Sequence, residues 1–476
     1  MGLRLRIRIR IGQEDRKTSE GEQNFAFWVY LHFMQLNDKK VINGWAFFDW
    51  ANSAYYLVIS TAIFPIYFSN VANEQIPILG TTISNAALYS FSVSAAYILI
   101  AILSPLLSGV ADYSGRRMYF LKLFTITGAT GCIALFFFHS PETMWIGTTA
   151  FILGTIGAAG GLVFYDSYLP VIASEDQYDR VSAKGYAFGY FGSVLLLILC
   201  LVLIQKPDWF GITSATLPSR ISFVLVGLWW LGFSQLTFRR LPPDNRIYRA
   251  GNLFARGWSE LLNVWNDIKH DKQIIRFLLS YFFFIAGVHT VIYLASLFAS
   301  QELGFEDAEL IITILLLQLV AIPGALLFAK LSKHKGNKLS LLIQLVVWIA
   351  ICAGAYLTTE KWHFFTLAAF VGLVLGGIQA LSRSTYAKLL EGRTNDLTSF
   401  FSFYDVLSKI AIVSGTFIFG LVNSITGSMR DSVLFLALFF AAGFVMLIRV
   451  DKKRINTTFT PVSHTQFAPK SPKGDL

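Results

Sequence analysis

An aspartate and a lysine, Asp405 and Lys409, stand four residues apart inside an apolar run that extends from about 399 to 423. Carboxylate first and cation second is the favourable order for a self-neutralising pair on one helix face. A lone charge at the middle of a bilayer costs about 2.5 to 3.5 kcal/mol on insertion scales, so a deep lysine with a partner is a candidate for function. Such a pair offers a cation for a substrate carboxylate and an acid for a proton, or it serves structure alone. Other ionisable groups in apolar runs are few. Asp49 and Asn52 fall in one run, with Tyr55 and Tyr56 one turn further on. They suit a cavity-facing ligand or proton carrier, and equally a helix end at the headgroups. Asp166, beside Tyr165, and Arg383, near Gln379, end two other runs, and could form an inner gate or snorkel to the interface. His289 is the histidine deep in an apolar block; an ordinary pKa near 6.5 suits proton coupling, and a packed core histidine is the plainer role.

The elements that must position these groups follow from composition. Of 476 residues, 54% are hydrophobic and only 14% charged, which is too apolar for a soluble globular chain. The apolar residues gather in blocks of the length that crosses a bilayer. Twelve spans are predicted, near 44–70, 84–108, 118–138, 144–168, 185–205, 220–238, 275–300, 308–329, 339–358, 363–387, 399–423 and 432–449. The third, sixth, ninth and twelfth carry almost no ionisable groups in their middles, as outer helices would. The chain therefore reads as an all-α polytopic membrane protein: an N-terminal extension 1–43, a six-helix bundle 44–238, a basic linker 239–274, a second six-helix bundle 275–450 and a polar tail 451–476, expected to be disordered.

Charge sets the topology. With loops assigned alternately, 34 of the 39 Lys and Arg fall on the side that holds both termini and the linker; Lys206, Arg220, Lys361 and Arg430 fall on the other side, and Lys409 within a span. Cytoplasmic loops carry the basic excess, so both termini are expected to be cytoplasmic. The net charge of +10 is thus topological, and no nucleic-acid partner is expected. Cys132, Cys200 and Cys352 lie singly in apolar blocks, which suggests neither a disulfide framework nor a thiolate metal site. Residues Arg4 to Ile11 alternate Arg with Leu or Ile and lack the apolar core of a signal peptide, while Phe25 to Leu36 is too short to span and suits the interface. Met34 opens the stretch that runs into the first span and is the expected natural start, with 1–33 an upstream extension.

Two internal matches support duplicated halves. Ser108-Gly-Val-Ala-Asp112-Tyr-Ser-Gly115-Arg116-Arg117 lies over Ala329-Lys-Leu-Ser-Lys333-His-Lys-Gly336-Asn-Lys338 at an offset of 221, and Gly160-Gly161 over Gly376-Gly377 at 216. The Gly-x-x-Asp-x-x-Gly-Arg-Arg loop, its degenerate partner and the six-plus-six layout resemble the major facilitator superfamily. Four stretches resemble its vacuole-effluxer, Atg22-like branch: Gly44-Trp-Ala-Phe-Phe-Asp-Trp-Ala-Asn-Ser-Ala54, Phe64-Pro-Ile-Tyr-Phe68, Gly376-Gly-Ile-Gln-Ala-Leu-Ser-Arg-Ser384 and Phe401-Ser-Phe-Tyr-Asp-Val-Leu-Ser-Lys409. The resemblance implies a major-facilitator-type fold with a central cavity and alternating access, and, for the characterised eukaryotic members, export of amino acids from the vacuole. It also implies that Asp112, Gly115, Arg116 and Arg117 form a conformational latch, Asp112 facing the positive N-terminal end of a helix in the other half. The second copy departs from the pattern, with Lys333 where the first has Asp112.

The functional expectation is a secondary transporter of small solutes, amino-acid-like and with protons as the coupling ion. Its pathway would be Asp49, Asn52, Tyr55, His289, Gln379, Asp405 and Lys409, with Asp166 and Arg383 joining the latch residues as gates. An amphipathic drug or metabolite exporter, and a non-transporting receptor or scaffold, are the alternatives. No Gly-x-x-x-x-Gly-Lys-[Ser/Thr] loop is present to bind ATP, and no His-Glu-x-x-His. No enzyme, metal or cofactor is expected, and the partners are a small-molecule substrate, protons and lipid around a monomer in a bacterial cell membrane.

Overall fold

The computed structural model describes residues 36–78, 81–244, 252–392 and 396–455; the expectations for the first 35 residues and for most of the tail lie outside them. Among the described residues twelve helices are long and apolar enough to cross a membrane: Lys39–Val71, Ala87–Ser114, Arg117–Phe137, Pro141–Ile172, Glu175–Gln205, Leu217–Arg240, Lys272–Leu303, Glu309–Lys335, Asn337–Leu357, Lys361–Leu389, Leu397–Thr426 and Met429–Ile448. We number them one to twelve. The first six and the last six form two halves, and the chain is a multi-pass membrane protein.

Helix ends explain the departures from the expected boundaries. Span one starts five residues before the expected position because Asp38 caps it, accepting a hydrogen bond from the Lys40 N–H at 2.6 Å. The linker also holds a helix of its own, Leu253–His270, capped by the Asn252 side chain. A two-stranded hairpin, Gln75–Ile78 against Thr81–Ser84, joins spans one and two.

Span one is not a uniform α-helix. Its middle, Tyr55–Ile63, is π-helical, and the Phe64 N–H reaches back five residues to the Ile59 carbonyl. Pro65 accounts for this: it has no N–H to bond the Thr61 carbonyl, and its ring crowds the preceding turn, so the ladder widens just upstream. Such wide turns inside α-helices concentrate at functional sites.

Close packing uses small residues, but differently in the two halves. A Cβ on Gly157 of span four would lie 2.3 Å from the Gly128 backbone of span three. In the second half, a Cβ on Gly376 of span ten would lie 2.1 Å from the Ala321 carbonyl oxygen of span eight. Spans four and ten, which occupy matching places in the two halves, thus use their glycines to bring different neighbours into backbone contact.

Candidate gate and substrate pathway

The two halves meet at the face that carries the linker, and the centre of the meeting is Arg383 of span ten, only 1% exposed. Its guanidinium donates to Asp166 Oδ1 at 2.9 Å and, through both terminal nitrogens, to Asp49 Oδ2 at 3.4 Å. Nε donates to Ser182 Oγ, and Nη2 also to the Ser182 carbonyl, both at 2.9 Å. The Ser182 hydroxyl donates in turn to the Ala380 carbonyl at 2.7 Å. Spans one, four, five and ten are therefore tied at one point. A buried ion pair survives only with good geometry and satisfied donors, and here both conditions are met.

Aromatic rings complete the cage. The guanidinium carbon lies 4.7 Å from the Trp45 ring centroid, 4.3 Å from Tyr186 and 5.4 Å from Tyr165. Trp45 and Tyr165 stack at 4.4 Å, the Trp45 indole N–H donates to the Tyr165 carbonyl, and the Tyr165 hydroxyl donates to Asp49 Oδ2 at 2.7 Å. Gly185 makes room: a Cβ there would fall 2.5 Å from Asp49 Oδ2.

Two further contacts flank this cage. Asp112, at the end of span two, accepts from the Ser399 N–H at 2.7 Å and the Thr398 N–H at 3.3 Å, the orphan donors at the start of span eleven. Gly115, at φ 65°, closes span two in a left-handed turn. Beyond that turn Arg117 lies 3.6 Å from Asp112, donates to Thr398 Oγ1 at 2.9 Å and to the Ser167 carbonyl at 3.2 Å. The Arg116 side chain makes no hydrogen bond or ion pair with the described residues.

The other contact centres on Asp179, in the first turn of the main helix of span five. It accepts from Ser332 Oγ at 2.5 Å, from Asn337 Nδ2 at 2.7 Å and from Lys388 Nζ at 2.9 Å. Lys388 also donates to Asn337 Oδ1 at 2.8 Å. The sequence marks out neither Asp179 nor Lys388, since each looks there like a solvated charge at a helix end.

Toward the membrane centre, Asp405 and Lys409 form their ion pair, both sheltered from solvent. The neighbouring turn of span eleven stacks Tyr404 on Tyr281 at 4.1 Å and on Tyr386 at 5.0 Å. Tyr56 is within electrostatic reach of Asp405, Asp166 and Tyr293, and the Tyr97 and Tyr293 side chains approach each other across the seam. His289 stacks on Tyr293 at 6.1 Å and has no hydrogen-bond partner among the described residues. Gln379 accepts from the Tyr190 hydroxyl at 2.5 Å. The Asn52 side-chain Oδ1 is buried without a hydrogen-bond partner among the described residues. Tyr55 points elsewhere: its hydroxyl lies 2.6 Å from Thr155 Oγ1, within the first half. No group of three or more His, Cys, Asp or Glu is placed to hold a metal among the described residues.

Twelve spans in two halves, with charged residues of both halves closing one face, are the build of a major facilitator-type transporter, a carrier of solutes across membranes. The chain belongs to the vacuole effluxer Atg22-like family, whose model matches residues 37–458. It is 30% identical over 428 residues to the MFS-type transporter YxiO of Bacillus subtilis, covering 89% of this chain and 97% of that one. It is 24% identical to autophagy-related protein 22 of Kluyveromyces lactis over 78% of this chain and 80% of the relative. Among solved structures it is similar in fold to the human organic anion transporter MFSD10, with TM-score 0.66, 13% identity and coverage of 87% of this chain and 100% of that one. The proton:xylose symporter XylE gives TM-score 0.66 at 14% identity over 87% and 96%.

Proposed function

We propose that the chain carries amino-acid-like zwitterions by alternating access, coupled to protons, through the cell membrane of a bacterium, with the linker face cytoplasmic. The described arrangement is then the outward-facing state, with Arg383 and its two flanking contacts holding the cytoplasmic side shut. The observation that carries the reading is the set of charges formed by the Arg383 cage and the span-eleven pair: three carboxylates, Asp49, Asp166 and Asp405, accompany two cations, Arg383 and Lys409. One carboxylate is in excess. A proton or a substrate ammonium would neutralise it, while Lys409 offers its ammonium to a substrate carboxylate once the Asp405 pair opens.

Asp166 is the partner of Arg383 that faces the pathway, with a side-chain exposure of 16% against 5% for Asp49. Protonation of Asp166 would weaken its hold on Arg383 and let the halves part at the cytoplasmic face. Tyr56, His289, Asn52 and Gln379 line the route between this gate and the ion pair, and Tyr56 takes the place expected of Tyr55. One bundle of two halves forms the whole path, so a monomer is sufficient.

Counterflow of labelled amino acids into proteoliposomes tests the reading. Saturable exchange is expected, lost in Lys409→Ala, and retained in Asp166→Asn with its dependence on a pH gradient removed. Absence of exchange for every amino acid, with protein that is monodisperse and thermally stable, overturns the substrate assignment. A second reading, export of amphipathic metabolites, is favoured by an apolar pocket in the second half, lined by residues that include Leu294, Phe298, Leu317, Phe419 and Leu436. Exchange of an amphipathic anion or cation in place of amino acids would select it.

A further inference from the structure

The helix in the linker, Leu253–His270, presents three different faces. Gly257, Leu261, Val264 and Ile268, spaced four, three and four residues apart, are buried. Gly257 sits backbone to backbone on span two, where a Cβ on Gly109 would lie 2.3 Å from the Gly257 carbonyl oxygen. Ser259, Asn263, Asn266 and His270 form an exposed polar face. Between these two lies a third stripe, Phe254, Trp258, Leu262 and Trp265, which remains 58%, 53%, 46% and 47% exposed. Four large apolar side chains in a row on one face would be costly in water.

Depth identifies what covers them. The helix does not hang beyond the ends of the spans but lies beside them. Its contact at Gly109 is five residues short of the last residue of span two, Ser114, or roughly 8 Å at 1.5 Å per residue. The Trp265 ring stacks on Phe403, 5.6 Å away, six residues into span eleven, roughly 9 Å by the same rise. Amphipathic helices at an interface bury their apolar face about 5 to 10 Å into the boundary between headgroups and acyl chains. At that depth the face turned from the protein meets lipid, and the adjoining surfaces of spans two and eleven expose Ile98, Leu99 and Ile102, and Ile410 and Val413. Tryptophan is the side chain that favours this boundary, and exposed Lys269 adjoins the stripe at the end nearer span seven, where its ammonium can reach the headgroups.

We propose that the linker helix is an interfacial membrane helix, seated in the leaflet at the linker face with Phe254, Trp258, Leu262 and Trp265 among the lipid chains. It lies against span two of one half and span eleven of the other, so the seam between the halves is covered there from the lipid side.

Spin labels on single cysteines introduced at 254, 258 and 262, and in a second set at 259, 263 and 266, test this in full-length protein in phosphatidylcholine and phosphatidylglycerol vesicles. The native cysteines are buried and stay unlabelled. The first set is expected to be several-fold more accessible to oxygen and several-fold less accessible to a nickel chelate than the second. Equal nickel access on both faces overturns the proposal, because the stripe then faces water. Labels at 254, 258 and 262 that are immobile and shielded from both reagents also overturn it, and identify protein as the cover, either residues 1–35 or a second copy. Quenching of the unlabelled protein's tryptophans by lipids brominated near the headgroup guards against misfolded variants: it falls in Trp258→Phe/Trp265→Phe if the proposal holds and is unchanged if it does not.

Discussion

The two contacts that flank Arg383 differ in what they set against a carboxylate. Asp112 faces backbone N–H groups at the start of span eleven; Asp179 faces the side chains of Ser332, Asn337 and Lys388. In a duplicated chain an acid on the loop after span two would have a twin on the loop after span eight. That twin position is Lys333, and the second contact takes its acid from span five instead. Both acids thus belong to the first half, as do Asp49 and Asp166, while Arg383 and Lys388 belong to the second. Arg117 apart, the charges of these contacts are polarised, first half acidic and second half basic, where strict repetition would have made them symmetric. Contacts with backbone need no matching residue and persist through sequence change; contacts with side chains can be broken from either partner.

The largest effect is expected where both contacts lose their common centre. Arg383→Leu leaves Asp49 and Asp166 buried without a cation, a loss on the order of 3 to 5 kcal/mol. A cysteine at Ala183, which packs among Ala325, Ala329 and Ala380 across the seam, reports it: maleimide should label it more than about 100-fold faster in the variant. Unchanged labelling would mean that the flanking contacts close the face by themselves.

Next in size is the side-chain contact. Asp179→Ala or Lys388→Ala should each open the face by about 2 to 4 kcal/mol, and the exchanged pair Asp179→Lys with Lys388→Asp should recover most of it. Labelling of the exchanged pair equal to the sum of the single effects would show no coupling. The backbone contact is expected to be weaker: Asp112→Asn keeps an acceptor and loses the charge, which at a helix N-terminus is worth about 0.3 to 2 kcal/mol. No second-site charge should rescue it, and that failure separates the two kinds of contact.

The smallest effect is one of pH. Asp396, just ahead of span eleven, is pushed up to about 7 by burial first and then by hydrogen bonding and repulsion from Glu260, with Asp267 adding to the repulsion. Both neighbours are on the linker helix. The docked helix therefore holds a proton that an undocked one would release, so docking weakens as pH rises from the usual carboxylate range toward about 7 and then levels off. Protection of the amides across 261–268, taken relative to their intrinsic exchange rate at each pH, should be higher at pH 5.5 than at pH 7.5, and Asp396→Asn should remove the difference.

The spans and the division into halves are legible because membrane crossing needs long apolar runs and the basic residues lie so unevenly. Asp49, Asp166 and Arg383 are each conspicuous as charges in apolar surroundings, though only the fold sets them within hydrogen-bonding reach. Asp179 and Lys388 are not legible: they are 209 residues apart, and each lies among charges at a span end, where solvation is the default. The turning of the Tyr55 hydroxyl toward Thr155, within the first half, follows from backbone geometry in the π-helical segment, of which the sequence shows only Pro65. The linker helix carried a helical period of its own, obscured by the arginines and the Pro242-Pro243 pair before it.

The cage around Arg383 also makes the proposed gate open to observation without any label. Trp45 is fully buried, stacked on Tyr165 and facing a guanidinium, so parting of the halves exchanges a fixed positive charge at its indole for water. Its emission should shift each time the carrier cycles, and the difference between the protein and Trp45→Phe isolates that signal from the other ten tryptophans. A carrier whose substrate is sought can thus be screened by light, with each candidate solute judged by whether it changes the fraction of molecules in which that ring is dry.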